Sequence, residues 1–211
     1  MQSNKPIIII GAGDHAKVLL DILLEQDLKV LGLTDNKISK GTLIYNIPVL
    51  GDDSEIQKYK TDDIELVNGI GSVGNTDLRE KIFLSFKQKG YTFSNVIHSS
   101  AIISKRAKIG EGVQILAGTV INTEAQIGDN TIVNTKSSVD HGCVIGKHCH
   151  IAPGCSFSGC VSVGDNTHVG TGSSIIQGIK IGKKVLIGAG SVVIHDISDN
   201  KKAYGVPARV Q

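Results

Sequence analysis

The chain has no tryptophan, one methionine and only four phenylalanines and four tyrosines in 211 residues. Whatever core it builds must therefore be mostly aliphatic. Net charge is +2 with both signs interspersed, so no basic stripe argues for nucleic acid and no basic helix for a membrane surface. No apolar run approaches the roughly 18 residues of a spanning helix. The polar start leads only to Ile7–Ile10, too short for a signal-peptide core, and a cytoplasmic protein without a membrane partner is expected. The four cysteines match no CxxC zinc spacing, and a reducing compartment disfavours disulfides. No metal is expected.

What the chain has in abundance is a period. From Ile97 to Val193 every sixth residue is apolar, and 16 of those 17 sites are Ile or Val in a chain that is under a quarter Ile and Val. Four residues on, from Ala101 to Ser191, every site holds Ala, Ser, Thr, Cys, Val or Ile. Gly110, Gly128, Gly146, Gly164 and Gly182 recur at 18. A period of six fits neither an amphipathic helix nor an alternating strand; it is the hexapeptide signature of a parallel β-helix. Three hexapeptides make one triangular coil, with the large aliphatic residue on the axis and the small one beside it. One corner per coil needs a residue without Cβ. Cys143, Cys149 and Cys155 fall in the small inward register and read as packing residues with inert thiols, whereas Cys160 lies off it.

The first half is organised differently. Pro6–Ile10 reads as a buried parallel strand, followed by Gly11-Ala12-Gly13-Asp14-His15-Ala16 and an apolar pattern of helical spacing from Lys17 to Gln26. Strand, glycine turn and helix start form a nucleotide-binding loop of G-x-G-x-x-A type. Residues 28–33 make a second strand, ending near Asp35, an acid placed to accept hydrogen bonds from a ribose or a base. Residues 47–51 read as an edge-like segment, 54–59 as a short helix and 64–67 as a third strand. That strand runs into Asn68-Gly69-Ile70-Gly71-Ser72. Residues 76–89 read as a helix with Leu78, Ile82 and Phe86 on one face. Near residue 95 the chain crosses into the repeat, whose far end the tail Tyr204–Arg209 is expected to close.

The hexapeptide repeat, the Gly-x-Gly-x-His-Ala-Lys opening and the Gly-Val-Pro-Ala-Arg ending together resemble a bacterial sugar acetyltransferase family. It comprises UDP-4-amino-sugar N-acetyltransferases and the related sialic acid O-acetyltransferases, and the resemblance covers nearly the whole chain. It implies a Rossmann-like nucleotide-sugar-binding domain over 1–95 and a left-handed parallel β-helix with a C-terminal tail over 96–211. It implies acetyl-CoA as cosubstrate, a homotrimer, and active sites between neighbouring β-helices. Within Asn134-Thr135-Lys136-Ser137-Ser138-Val139-Asp140-His141, the resemblance makes His141 the general base and Asn134 an active-site neighbour. His150 is then placed near the acetyl group, with Gly159, Thr171 and Ala189 along the CoA. Gly13, Asp14, His15, Asp35, Asn36 and Gly71 match the nucleotide-sugar pocket.

In one respect the chain departs from that pattern. The N-acetyltransferases usually carry an acid directly after the base, and here that residue is Gly142. Asp140 precedes His141, but in a strand or at a corner it is expected to point the other way. The expectation is then a backbone carbonyl orienting the ring, or a weaker base that suits an amine better than a hydroxyl. His141 lies two residues past inward Val139, so its ring should face outward between Thr123 and Gly159. His150 and His168, 18 apart, should stack; His148 and His168 read as surface residues, and His98 and His195 show no chemistry. The leading expectation is acetyl transfer to a UDP-4-amino-4,6-dideoxy sugar, with O-acetylation of sialic acid close behind. A γ-carbonic-anhydrase-like zinc enzyme, needing three convergent histidines, and an idle nucleotide-sugar-binding scaffold are the remote alternatives.

Overall fold

A computed structural model describes residues 5–211, and the chain divides into two compact units. The first comprises residues up to Gly71 together with Lys81–Val96; the second comprises Ser72–Glu80 and Ile97–Gln211. Residues 72–80, which the sequence reading places in the N-terminal domain, thus group with the repeat.

In the first unit, β1 (Ile7–Ile10) is flanked in parallel by β2 (Val30–Thr34) and β5 (Glu65–Asn68). Beyond β2 come β4 (Ile47–Gly51), also parallel, and β3 (Leu43–Ile44), which is antiparallel and takes the edge expected of 47–51. The extra strand escaped notice because its two-residue turn, Tyr45-Asn46, contains no glycine, yet both residues adopt left-handed φ of 47° and 66°. Helix α1 (Asp14–Glu25) buries Ala16, Leu19, Leu20, Ile22 and Leu23. The short helix expected at 54–59 is a 3-10 turn over Asp53–Lys58. Helix α2 (Asp77–Gln88) corrects the expected face: Leu78 is 58% exposed, while Phe83 and Phe86 are buried. Arg79, in the part of this helix that groups with the second unit, is buried, and its Nη2 donates to the carbonyl (3.3 Å) and Oδ1 (3.1 Å) of Asn130 in the same unit. Desolvation lowers its pKa to about 9.

In the second unit, two-residue strands repeat every six residues and pair in parallel with the strand 18 residues on, giving three sheets. A histidine face carries Gln114, Ile132, His150 and His168 in register. A serine face carries Ile102, Val120, Ser138, Ser156 and Ser174, and a lysine face carries Lys108, Gln126, Val144, Ser162 and Lys180. From Ile115 to Val193 every residue of the large register is buried, and Cys143, Cys149 and Cys155 fill the small one. Burial pushes the thiol of Cys149 up to about 12 and that of Cys155 up to about 11, so both stay protonated. The glycines at period 18 are required by close stacking: a Cβ on Gly128 would lie 2.6 Å from the carbonyl carbon of Gly146. The tail adds Lys202–Tyr204 in parallel to Leu186–Ile187 and folds back through Arg209–Val210.

Candidate functional site

In the first unit the candidate crevice lies where β1 and β5, adjacent in the sheet but connected in opposite directions, run out at their carboxyl ends. Gly11 (φ 89°) and Gly69 keep the two loops in contact. A Cβ on Gly11 would stand 2.6 Å from Ile70 Cδ1, and one on Gly69 2.7 Å from the carbonyl oxygen of Ile10. Gly13 caps α1 in an extended conformation with no side-chain cap, and Gly71 lies against His15. Asp14 is exposed and pairs with Lys17 at 3.0 Å. Asp35 is not an idle acceptor. Its Oδ2 accepts from the N–H of Ala12 (3.1 Å), and its Oδ1 from Lys37 (2.8 Å) and Ile38 (3.2 Å). It clips the glycine loop to the end of β2, with exposed Asn36 next to it.

In the second unit His141 sits at the corner between the serine and lysine faces, with its side chain 54% exposed. The corner ladder runs Thr123–His141–Gly159: the N–H of Gly142 donates to Thr123, and that of Cys160 to His141. Gly159 is the floor beneath the imidazole, since a Cβ there would lie 2.5 Å from Cε1 and Nε2. Asp140 does not turn away. Its Oδ1 accepts from the main-chain N–H of His141 at 2.7 Å and from Nδ1 at 3.0 Å. Alternation fails here because the chain bends at the corner, and a short acidic side chain folds back onto the next N–H. These bonds hold the Asp140 carboxyl below its ordinary range, the main-chain bond from His141 being the largest cause. An ionised carboxylate only accepts, so Nδ1 carries the proton and Nε2 keeps its lone pair. The orienting acid expected after the histidine thus precedes it.

Asn134 and His150 form a second group at the corner between the histidine and serine faces. The side-chain Oδ1 of Asn134 accepts from Thr135 N–H (2.7 Å), which turns Nδ2 toward His150 Nε2 (3.2 Å). His150 Nδ1 lies 2.8 Å from the carbonyl oxygen of Ser72, an acceptor only, so its proton is on Nδ1 and Nε2 accepts from Asn134. Thr171 and Ala189 are exposed further along this corner, on the ladder Thr135–Pro153–Thr171–Ala189. His150 and His168 stack edge to face at 5.0 Å. His148 and His168, read as surface residues, are both buried. His148 Nδ1 meets Asn130 Nδ2 at 3.0 Å, and desolvation lowers the pKa of both histidines. Their positions belong to no inward register, so the six-residue period carries no sign of what covers them.

The structure therefore brings Asn134, His150, Thr171 and Ala189 to one corner and His141 with Gly159 to the next, the serine face lying between. Sequence reasoning missed Ser72, Asp140 as a partner, and Asn122, whose Nδ2 donates to Asp140 Oδ1 at 2.9 Å. The period itself could have found Asn122, which stands 18 residues before Asp140. Among the described residues no group of three or more His, Cys, Asp or Glu side chains is arranged to hold a metal ion. No helix among them is long and apolar enough to cross a membrane.

Comparison with known proteins bears on both units. Residues 6–86 match the PglD N-terminal domain family, and residues 124–159 match the bacterial transferase hexapeptide family of six repeats. The structure superposes on GDP-perosamine N-acetyltransferase from Caulobacter crescentus with a TM-score of 0.91. Identity is 34%, and the match covers 100% of this chain and 99% of the other. That protein was solved with CoA and GDP-perosamine in variants replacing one histidine by Ala or Asn. The acetyltransferase domain of PglB from Neisseria gonorrhoeae gives a TM-score of 0.91 at 29% identity, covering 98% of this chain and 100% of that domain. A UDP-N-acetylbacillosamine N-acetyltransferase from Bacillus subtilis is 36% identical over 117 residues, which are 54% of this chain. The matches span 52% of that relative and 24% of another curated relative, about half of their length or less. The chain belongs to the family of sugar N-acetyltransferases that join a PglD-type N-terminal domain to a left-handed hexapeptide β-helix.

Proposed function

We propose that the chain transfers the acetyl group of acetyl-CoA to the amine of a nucleotide-linked amino sugar of the UDP-4-amino-4,6-dideoxy type, with His141 as general base. The observation that carries this reading is the outward imidazole over Gly159, held through Nδ1 by Asp140 with the Nε2 lone pair left for a proton. The amine nitrogen attacks the thioester carbonyl carbon while Nε2 takes one of its protons. The tetrahedral adduct then collapses, the C–S bond breaks, and the imidazolium returns the proton to the departing thiolate. The products are an amide and free CoA, and base catalysis of this kind contributes roughly 10²–10⁴-fold.

The nucleotide sugar is assigned to the crevice bounded by Gly13, Asp14, His15, Asn36 and Gly71, with Asp35 holding its loop. Acetyl-CoA is assigned to the corner of His150, Thr171 and Ala189, with Asn134 beside the acetyl group and Gly159 bordering it from the His141 side. Because these corners are one face apart in a single chain, the reading includes a homotrimer in which the His141 corner of one protomer meets the Asn134 corner of the next. The serine face supports this: its outward positions are uncharged from Ile102 to Val192, and Ile102 is 66% exposed. A stable monomer by light scattering at micromolar concentration would remove the shared site.

The amine is favoured by the acceptors of the relatives. Because Asp140 supplies a carboxylate to His141, base strength does not separate amine from hydroxyl, and sialic acid is the competing acceptor. The test offers a UDP-4-amino-4,6-dideoxy sugar, GDP-perosamine and free sialic acid with acetyl-CoA and follows thiol release. Amino sugars are expected to turn over, and faster turnover of sialic acid would reassign the acceptor.

A further inference from the structure

Asn122 stands one coil before Asp140, in the register that pairs Ile121 with Val139. Its amide has only one orientation open to it. Oδ1 accepts the main-chain N–H of Thr123 at 2.8 Å, so Nδ2 is the end that meets Asp140 Oδ1 at 2.9 Å. That single carboxylate oxygen thus receives three donors: the Asn122 amide, the His141 main chain and His141 Nδ1. Neither partner is held by burial, because the Asp140 side chain is 41% exposed and the His141 side chain 54%. A carboxylate on an open corner has several rotamers available unless a neighbour selects one. The Asn134 corner shows that the brace is not a by-product of the coil: there the residue 18 earlier is Leu116, which has nothing to donate.

We propose that Asn122 and Asp140 are positioning residues for acetyl transfer: Asn122 fixes the Asp140 carboxylate, and that carboxylate fixes the tautomer and ring plane of His141. The proposal rests on His141 being the base. With the anion already in place, the imidazolium that forms as Nε2 takes the amine proton is stabilised without rearrangement. The brace is an amide and not an ammonium, so it sets geometry without cancelling the charge that the imidazolium needs.

The test measures turnover of GDP-perosamine and of a UDP-4-amino sugar with acetyl-CoA, across pH, in the full-length protein. Asn122→Ala, Asp140→Asn and their combination are compared with His141→Ala. Asp140→Asn should lower kcat roughly 10- to 100-fold with both KM values little changed, because the forming imidazolium loses its anion. Asn122→Ala should lower kcat about 3- to 10-fold with both KM values little changed, and should add nothing in the Asp140→Asn background. Equal losses in both backgrounds would mean that Asn122 acts elsewhere and would overturn the proposal. Should Asn122→Ala melt early, Asn122→Leu fills the space without a donor, and full turnover in it is equally fatal. Unimpaired Asp140→Asn beside a dead His141→Ala would sink the positioning pair and leave the base standing; an active His141→Ala would sink both.

Discussion

The two units expose chemistry by opposite means. In the first, the candidate residues lie where regular structure stops: two strands end side by side, and glycines let their loops touch while Asp35 clips one loop to the next strand. In the second, regular structure does not stop. His141, Asn134 and His150 project outward from corners and rungs of a ladder whose inward register is filled throughout. Site and scaffold share the same bonds in the first unit, whereas in the second they occupy alternate positions of one strand. Substitutions should therefore damage binding and stability together in the crevice, and should separate them on the coil.

The largest expected effect tests that separation directly. His141→Ala should lower kcat by about 100-fold or more while the melting temperature stays put, measured by thiol release and a thermal melt. Near-normal turnover would move the base elsewhere. Gly159→Ala comes next, because its methyl must displace the imidazole rather than any core atom. A kcat loss of about tenfold, roughly 1.4 kcal/mol, is expected without loss of fold. If kcat is unaffected, Gly159 is not the floor of the site. Asp35→Ala should show the contrary behaviour of the crevice. Leaving three N–H groups without their acceptor should cost about 1–3 kcal/mol of stability, raise KM for the nucleotide sugar and spare KM for acetyl-CoA. Weaker binding at unchanged stability would mean that Asp35 touches the ligand, and the contrast between the units would narrow.

The smallest effect concerns acid. His148 and His168 have pKa values lowered by desolvation, so the folded protein keeps them neutral while the unfolded chain protonates near pH 6.5. Their contribution is fully present above about pH 6.5 and is lost as pH falls toward the depressed folded values. Among the described residues, His168 Nδ1 is buried with no hydrogen-bond partner, and the ring stacks on His150. His168→Phe should keep the stacking and flatten the fall of melting temperature below pH 6.5. An unchanged slope would place the acid sensitivity on other groups.

Legibility in the sequence followed the same divide. The coil could be read rung by rung because burial repeats at six, and the three inward cysteines followed from that register. What covers the outward positions has no period, so buried His148, His168 and Arg79 went unseen, as did Ser72 against His150. Direction was lost where the chain bends: Asp140 was expected to point away, but at the corner its short side chain folds back onto the N–H and ring of His141. In the first unit the strands and glycine turns were visible as apolar runs and punctuation. The engagement of Asp35 was not, since a ribose and three main-chain N–H groups ask for the same carboxylate.

The stacking of identical rungs has one more consequence, for chain length. Deleting 18 residues from the coil removes one storey and leaves every remaining side chain above its former column. Deleting six returns each Ile and Val to the interior, yet carries everything beyond the cut one face around the prism. Loss of the six residues from Gly142 through Lys147 would leave the hydrophobic column continuous while taking His150 off the face it shares with Ile132 and away from Asn134. The interior is blind to such a slip and only the outer surface records it. Working variants of this coil should accordingly differ in length by whole storeys.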